Sequence, residues 1–241
     1  MSHRASSEHL VPAILPIVAA LDAAVAARHL LDHPFYQAWS RGELSVAALR
    51  DYAAQYYQHV AAFPTYLSAV HAQTDDPAVR RHILENLIDE EAGSPNHPEL
   101  WLQFAEGLGL GREQVRQTAP WPATKKLIAD FRSCCRERGT AAGLAALYAY
   151  ESQIPAVCAT KIEGLKAHYG FTDPGGYEYF TVHIEADREH AAVEAARLAQ
   201  LVDDSQREAA LASAGEVLAG LYGLLSAVCD RHGIADCTAV N

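Results

Sequence analysis

Apolar residues recur every three or four positions along most of this chain, and no stretch keeps the strict alternation of a half-buried strand. The periodicity predicts helices near 10–30, 34–40, 45–73, 76–92, 97–108, 120–137, 140–169, 176–202 and 205–232. The breaks between them carry recognisable punctuation. Ser45 stands where a cap for the third helix belongs, with Val46 and Leu49 opening its apolar face. Asp75-Asp76-Pro77 opens the next helix, with proline in its first turn. Gly93-Ser94-Pro95-Asn96 and Asp173-Pro174-Gly175-Gly176 are turn sequences, and Pro155 is a candidate kink inside the 140–169 stretch. With no low-complexity linker and no internal repeat, residues 1–241 are expected to form a single all-α domain of seven or more helices.

Half of the residues are hydrophobic, with Ala and Leu abundant, so apolar surface for a core is plentiful. A formal net charge of −11 argues against nucleic acid and anionic membrane as partners, since neither is drawn to a negative field. Cys134, Cys135, Cys158, Cys229 and Cys237 are odd in number and form no C-x-x-C pair, the usage of reduced thiols in a cytoplasmic protein. The apolar run Leu10–Leu21, preceded by Arg4, superficially imitates a signal-peptide core. Glu8 before it, Pro12 and Pro16 within it and Asp22 after it fit that template poorly, so a first bundle helix is the better reading. The Ala-rich last helix either covers the core or forms the seam of a homodimer.

One segment changes the picture from fold to chemistry. In His183-Ile-Glu-Ala-Asp187-Arg-Glu-His190, the i, i+4, i+7 spacing rotates by about 40° and then about −20°, so two imidazoles and a carboxylate share one face. Glu185, Arg188 and Glu189 give the same helix a charged side, and the plain alternative is a polar face that happens to hold histidines. Glu194 continues the line and reads either as a residue supporting the ligands from behind or, more simply, as exposed. Glu151 follows an apolar run with no basic residue within a turn, so it must reach solvent, a distant partner or a cation. Glu90 and His97 are seven apart, which aligns them only if the helix survives Gly93–Asn96; otherwise Asp89-Glu90-Glu91 is a solvated helix end. His59, His71 and His82 lack such spacing and read as core or surface histidines. Three imidazoles and three carboxylates exceed one tetrahedral zinc and suit two octahedral ions of the iron or manganese type.

The combined pattern resembles the haem-oxygenase-like dimetal oxidases, whose ligands come as Glu, His, Glu and a closing His-x3-Asp-x2-His line. Tyr36-Gln-Ala-Trp39, Tyr52-Ala-Ala-Gln-Tyr-Tyr57, Phe63-Pro-Thr-Tyr66, Asp89-Glu-Glu-Ala-Gly93, Asn96-His97-Pro-Glu-Leu-Trp101 and Tyr150-Glu151-x9-Lys161 resemble one family more closely. That family is named for the chlamydial protein associating with death domains, and the similarity spans about residues 30 to 200. Pyrroloquinoline quinone synthase, which works without metal, and thiaminase II, which uses a cysteine nucleophile, share the fold. Six intact ligand positions count against both as models.

The resemblance implies a seven-helix haem-oxygenase-like bundle with a dimetal site in its core, held by Glu90, His97, Glu151, His183, Asp187 and His190. It implies an Fe/Fe or Mn/Fe pair, with dioxygen and an external reductant as co-substrates. It further implies synthesis of p-aminobenzoate, a folate precursor, from the protein's own side chains. Tyr36 matches the tyrosine cut between Cα and Cβ, Lys161 the amino donor, and Tyr52 and Tyr150 aromatic positions that relay a radical or hold the ring. Two other functions compete: a dimetal oxidase acting on an external small amine, amino acid or fatty acid, and a non-catalytic helical binding protein.

Overall fold

The structure, a computed structural model, describes residues 16–234. The start of the expected first helix at 10–15, the flanking Arg4, Glu8 and Pro12, and Cys237 lie outside the described residues. The helices are α1 (Ile17–Ala27), α2 (Pro34–Arg41), α3 (Val46–Gln73), α4 (Pro77–Glu91), α5 (His97–Gly107) and α6 (Arg112–Arg116). They continue as α7 (Pro122–Glu137), α8 (Thr140–Glu151), α9 (Ile154–His168), α10 (Glu178–Leu201) and α11 (Asp204–His232). Short 3-10 turns occupy Leu30–Asp32 and Pro174–Tyr177, and no strand occurs among the described residues.

The starts of these helices are chemically specified. Ser45 Oγ accepts from the Ala48 N–H at 3.1 Å, Asp76 Oδ1 from Ala78 at 2.8 Å, and Asn96 Oδ1 from Glu99 at 3.1 Å. Asp203 and Gln206 close a capping box at the head of α11. The expected 140–169 helix is two helices. Pro155 has no N–H and its ring crowds the carbonyl four residues back, so α8 ends at Glu151 and α9 starts afresh at Ile154. Gln153, buried at the break, accepts the Leu30 N–H at 2.9 Å and donates to the Ala149 carbonyl at 2.8 Å. The sequence reading also missed the five-residue α6, too short for a hydrophobic period to register.

α8 is the axis of the bundle. Every residue from Ala141 to Glu151 is buried, as an all-apolar helix must be, and α1, α3, α7, α9, α10 and α11 pack around it. By length and composition α11 is apolar enough to cross a membrane, but half of its most apolar window is buried and it lies along α8 and α7. It covers the core.

One contact places the chemistry. Gly164 on α9 sits beneath Trp39 of α2, where a Cβ would come within 2.5 Å of the indole. The Trp39 Nε1–H donates to the Lys161 carbonyl at 3.3 Å. The face of α2 that carries Tyr36 is thereby held against the face of α9 that carries Lys161.

Candidate metal centre

Four helices bring the six candidate ligands together, all buried. His183, Asp187 and His190 lie along the inward face of α10, Glu90 near the end of α4, His97 at the start of α5, and Glu151 at the end of α8. They form two groups: Glu90, His97 and His183, and Glu151, Asp187 and His190. Glu90 and His97 do not share a continuous helix face. α4 stops at Glu91, and the chain turns so that α5 begins on His97 beside Glu90.

Glu90 Oε1 is 3.1 Å from His97 Nδ1 and 3.7 Å from His183 Nε2. In the second group His190 Nδ1 is 3.8 Å from Glu151 Oε1 and 3.9 Å from Asp187 Oδ1. Around an octahedral ion with bonds of about 2.1 Å, neighbouring ligand atoms lie about 3 Å apart and opposite ones about 4 Å. The separations fall in that range. They are poor hydrogen bonds, however: even the close His97–Glu90 approach lacks hydrogen-bond alignment, and His97 Nδ1 and His190 Nδ1 are buried without a partner. Glu151 Oε2 and Asp187 Oδ2 are in the same condition. Buried polar atoms that converge with no hydrogen bond to satisfy them fit a cation.

The surroundings fix the imidazoles. His183 Nδ1 is 2.6 Å from the Tyr179 carbonyl, which can only accept, so Nδ1 carries the proton and Nε2 offers its lone pair toward Glu90. His190 Nε2 meets Asp89 Oδ2 at 3.3 Å, leaving Nδ1 to face Glu151 and Asp187. Asn86 Nδ2 donates to Glu151 Oε1 at 2.8 Å. Asp89 and Asn86 are functional candidates the sequence reading missed; their spacing from Glu90 by one residue and by one turn was the available signal.

Burial raises the Glu90 carboxyl, but His183 and His97 beside it outweigh that and bring it down to about 2. Burial pushes Asp187 up to about 7, with Glu90 adding and His183 opposing. Glu151 is raised by burial and then by Asp187, and as the last residue of α8 it faces the negative end of a helix dipole. Without a cation, then, the second group holds protons that a divalent ion displaces on binding.

Next to the ligands lies an aromatic chamber. Tyr36, Tyr52, Tyr150 and Lys161 are all buried. Tyr36 Oη and Tyr52 Oη are 3.2 Å apart, and Tyr56 Oη donates to Tyr150 Oη at 3.1 Å. Lys161 Nζ lies 5.6, 5.4, 5.2, 5.5 and 4.9 Å from the ring centroids of Tyr36, Tyr52, Tyr56, Trp101 and Phe180. Trp101 packs on Tyr179 at 4.8 Å between centroids, and Tyr179 stacks on the ligand-group His183 at 4.0 Å. The chamber and the first ligand group are thus in continuous contact. Tyr56 and Trp101 belong to the motifs that carry the family resemblance but have no role assigned from sequence; Tyr179 and Phe180 are not singled out there, although Tyr179 and His183 are one helical turn apart.

Burial keeps the Tyr36, Tyr52 and Tyr150 phenols protonated, raising each well above its ordinary value. Burial lowers Lys161 to about 8, with Cys158 opposing. The unfolded chain keeps that proton to about 10.4, so the folded chain binds fewer protons between those values and gains stability as pH rises through the window. Lys161→Met is therefore expected to raise the melting temperature by several degrees at pH 7, reflecting relief of about 3 kcal/mol. The difference from wild type should shrink between pH 8 and 10; a variant that melts lower than wild type at pH 7 contradicts it.

His59 is a core histidine among Phe63, Tyr66, Phe131 and Tyr150. His82 is buried with its ring 5.9 Å from His190, while His71 is partly exposed. Cys134, Cys135 and Cys158 are buried thiols, and no disulfide joins the described residues. Glu194 corrects the reading from sequence: it is 0 % exposed, because α10 turns this whole line toward α8.

Paired imidazole–carboxylate groups inside an all-helical bundle define a metal-dependent oxidoreductase of haem-oxygenase-like fold. The chain belongs to the family of iron-containing redox enzymes, whose pattern it matches over residues 50–222. It is 48% identical over 206 residues to a 4-aminobenzoate synthase from Chlamydia pneumoniae, covering 86% of this chain and 92% of that protein. A 4-aminobenzoate synthase from Nitrosomonas europaea is 44% identical over 203 residues, 80% of this chain and 82% of that one. The fold matches that of a CADD-like protein of unknown function from Nostoc punctiforme, with a TM-score of 0.74 at 19% identity, covering 90% of this chain and 96% of that one.

Proposed function

We propose that this protein makes p-aminobenzoate from its own Tyr36, with Lys161 giving the amino group. Glu90, His97 and His183 would hold one metal ion and Glu151, Asp187 and His190 the other, as Fe/Fe or Mn/Fe. The chemistry such a pair supplies is reductive activation of dioxygen, with an external reductant completing the electron count. The relatives named 4-aminobenzoate synthase support the product.

The observation that carries the source of the ring is the shared chamber: the Tyr36 ring and the Lys161 amine lie 5.6 Å apart, enclosed by aromatic side chains that reach His183. Surface clefts beside Thr65 and Arg132 and beside Gln103 and Asp173 lie apart from the ten candidate residues, all of which are buried. A buried substrate needs no cleft, and its attachment to the chain replaces a bimolecular encounter. Atom for atom, the phenol ring and Cβ of tyrosine correspond to the ring and carboxyl carbon of p-aminobenzoate once the oxygen para to Cβ is exchanged for nitrogen. Tyr52 holds that oxygen through its hydroxyl. Lys161, lowered to about 8, supplies neutral amine near neutral pH where an exposed lysine is almost wholly charged.

The test is p-aminobenzoate measured by mass spectrometry, from purified protein given iron or manganese, reductant and oxygen but no organic substrate. The expected yield is at most one per chain, with a side chain missing at Tyr36. Nitrogen from isotopically labelled lysine should appear in the product; its absence removes Lys161 as donor. Product only when a small amine, amino acid or fatty acid is added, with many turnovers, would establish an external-substrate oxidase instead.

A further inference from the structure

Glu194 stands one turn beyond His190 on the line that already carries His183, Asp187 and His190. It is fully buried, its carboxyl touches that of Glu151, and neither of its oxygens has a hydrogen-bond partner among the described residues. Asn86 satisfies only Glu151 Oε1. Glu151 Oε2, both Glu194 oxygens, Asp187 Oδ2 and His190 Nδ1 are therefore five buried polar atoms on adjoining residues with no hydrogen-bond partner among the described residues. Two carboxylates in contact in a dry interior repel unless a proton or a cation lies between them, and neither can be relieved by moving toward water. One cation relieves both.

The charge count points the same way. Glu90, Glu151 and Asp187 alone would leave two divalent ions with an uncompensated positive charge in the core. With Glu194 the buried carboxylates number four, and the assembly is neutral.

We propose that Glu194 is a further ligand, entering beside Glu151 on the ion held by Glu151, Asp187 and His190. The proposal rests on the metal-pair reading above. Glu194 gives that ion a third carboxylate, so its surroundings are oxygen-rich, whereas the ion at Glu90 has two imidazoles and one carboxylate. The two positions are then chemically unequal.

The test loads the full-length protein anaerobically with Fe(II), counts bound metal by elemental analysis, and measures each affinity by competition with a chromophoric chelator. Wild type should hold two ions. Failure there overturns the metal pair, and this proposal with it. Glu194→Gln should weaken one ion about 10- to 100-fold and leave the other unchanged. Glu194→Asp, which keeps the charge but shortens the reach, should fall between, and it serves if the glutamine variant does not fold. Melting of each variant with and without metal separates a ligand from a packing residue: loss of a ligand narrows the stabilisation that metal confers, whereas a packing defect lowers both curves together. Two ions at wild-type affinity in Glu194→Gln and Glu194→Ala would overturn the assignment.

Discussion

Tyr36→Phe is expected to abolish p-aminobenzoate formation while the fold and both metal ions persist. The substitution removes one oxygen from a ring packed against Phe35 at 5.3 Å and Trp39 at 6.4 Å, and both of those contacts survive. The structural loss is the bond to Tyr52 Oη, worth about 1 kcal/mol, too little to unfold a domain of this size. The chemical loss is complete, because a phenyl ring lacks the oxygen at the position where nitrogen must enter. Product by mass spectrometry and intact mass of the chain check this together: the variant should form no product and keep its full mass under conditions in which wild type is expected to lose the Tyr36 side chain. Tyr169→Phe, a partly exposed tyrosine bonded to the Leu44 N–H, is the matched control and should keep its yield. Full yield from Tyr36→Phe would end the sacrificial role for this residue and leave the metal assignment intact.

Asp187→Ala should remove both product and one of the two ions. Asp187 is the only α10 carboxylate in either ligand group, and the ion it shares with Glu151 and His190 would be left with one carboxylate and one imidazole from that set. Without metal, the same change should stabilise the chain. The folded chain keeps a proton on Asp187 up to about 7, pushed there by burial, whereas the unfolded chain releases it near 4. Folded protein thus binds more protons across that window, and stability falls as pH rises from about 4 to 7, by a few kcal/mol. The variant lacks this penalty, so metal-free Asp187→Ala should melt above metal-free wild type at pH 7 and converge with it near pH 4. Wild type should recover the difference on loading with metal. Retention of two ions and full yield would sink the assignment.

Much of this was legible in the chain. The His183–Asp187–His190 line survives into three dimensions because it lies within a single uninterrupted helix, where spacing alone sets direction. The helix starts at Ser45 and Asp76 were readable because capping is local chemistry. What failed depended on tertiary placement. Glu194 looks like any exposed acidic residue until α10 is laid against α8. The meeting of Glu90 and His97 depends on a turn whose direction no periodicity specifies. Asp89 and Asn86 act through residues distant in sequence, His190 and Glu151, so their spacing from Glu90 hints at them without naming the partner. Sequence alone puts Lys161 and Glu151 in one stretch with a candidate kink at Pro155; the break there is complete, and Lys161 faces Tyr36.

Tyr36 is among the largest fully buried side chains of the described residues, and it sits in the first turn of α2. On the proposed chemistry, cutting it at Cα–Cβ would leave a glycine in that helix and a hole the size of a phenol ring. Comparable losses of a buried aromatic destabilise by about 3–5 kcal/mol, and glycine in a helix adds about 1 kcal/mol. Against a typical total of about 5–15 kcal/mol, that is a large fraction. On the proposed chemistry, a chain that delivered its product would be destabilised by it, and a spent copy would unfold more readily than a fresh one.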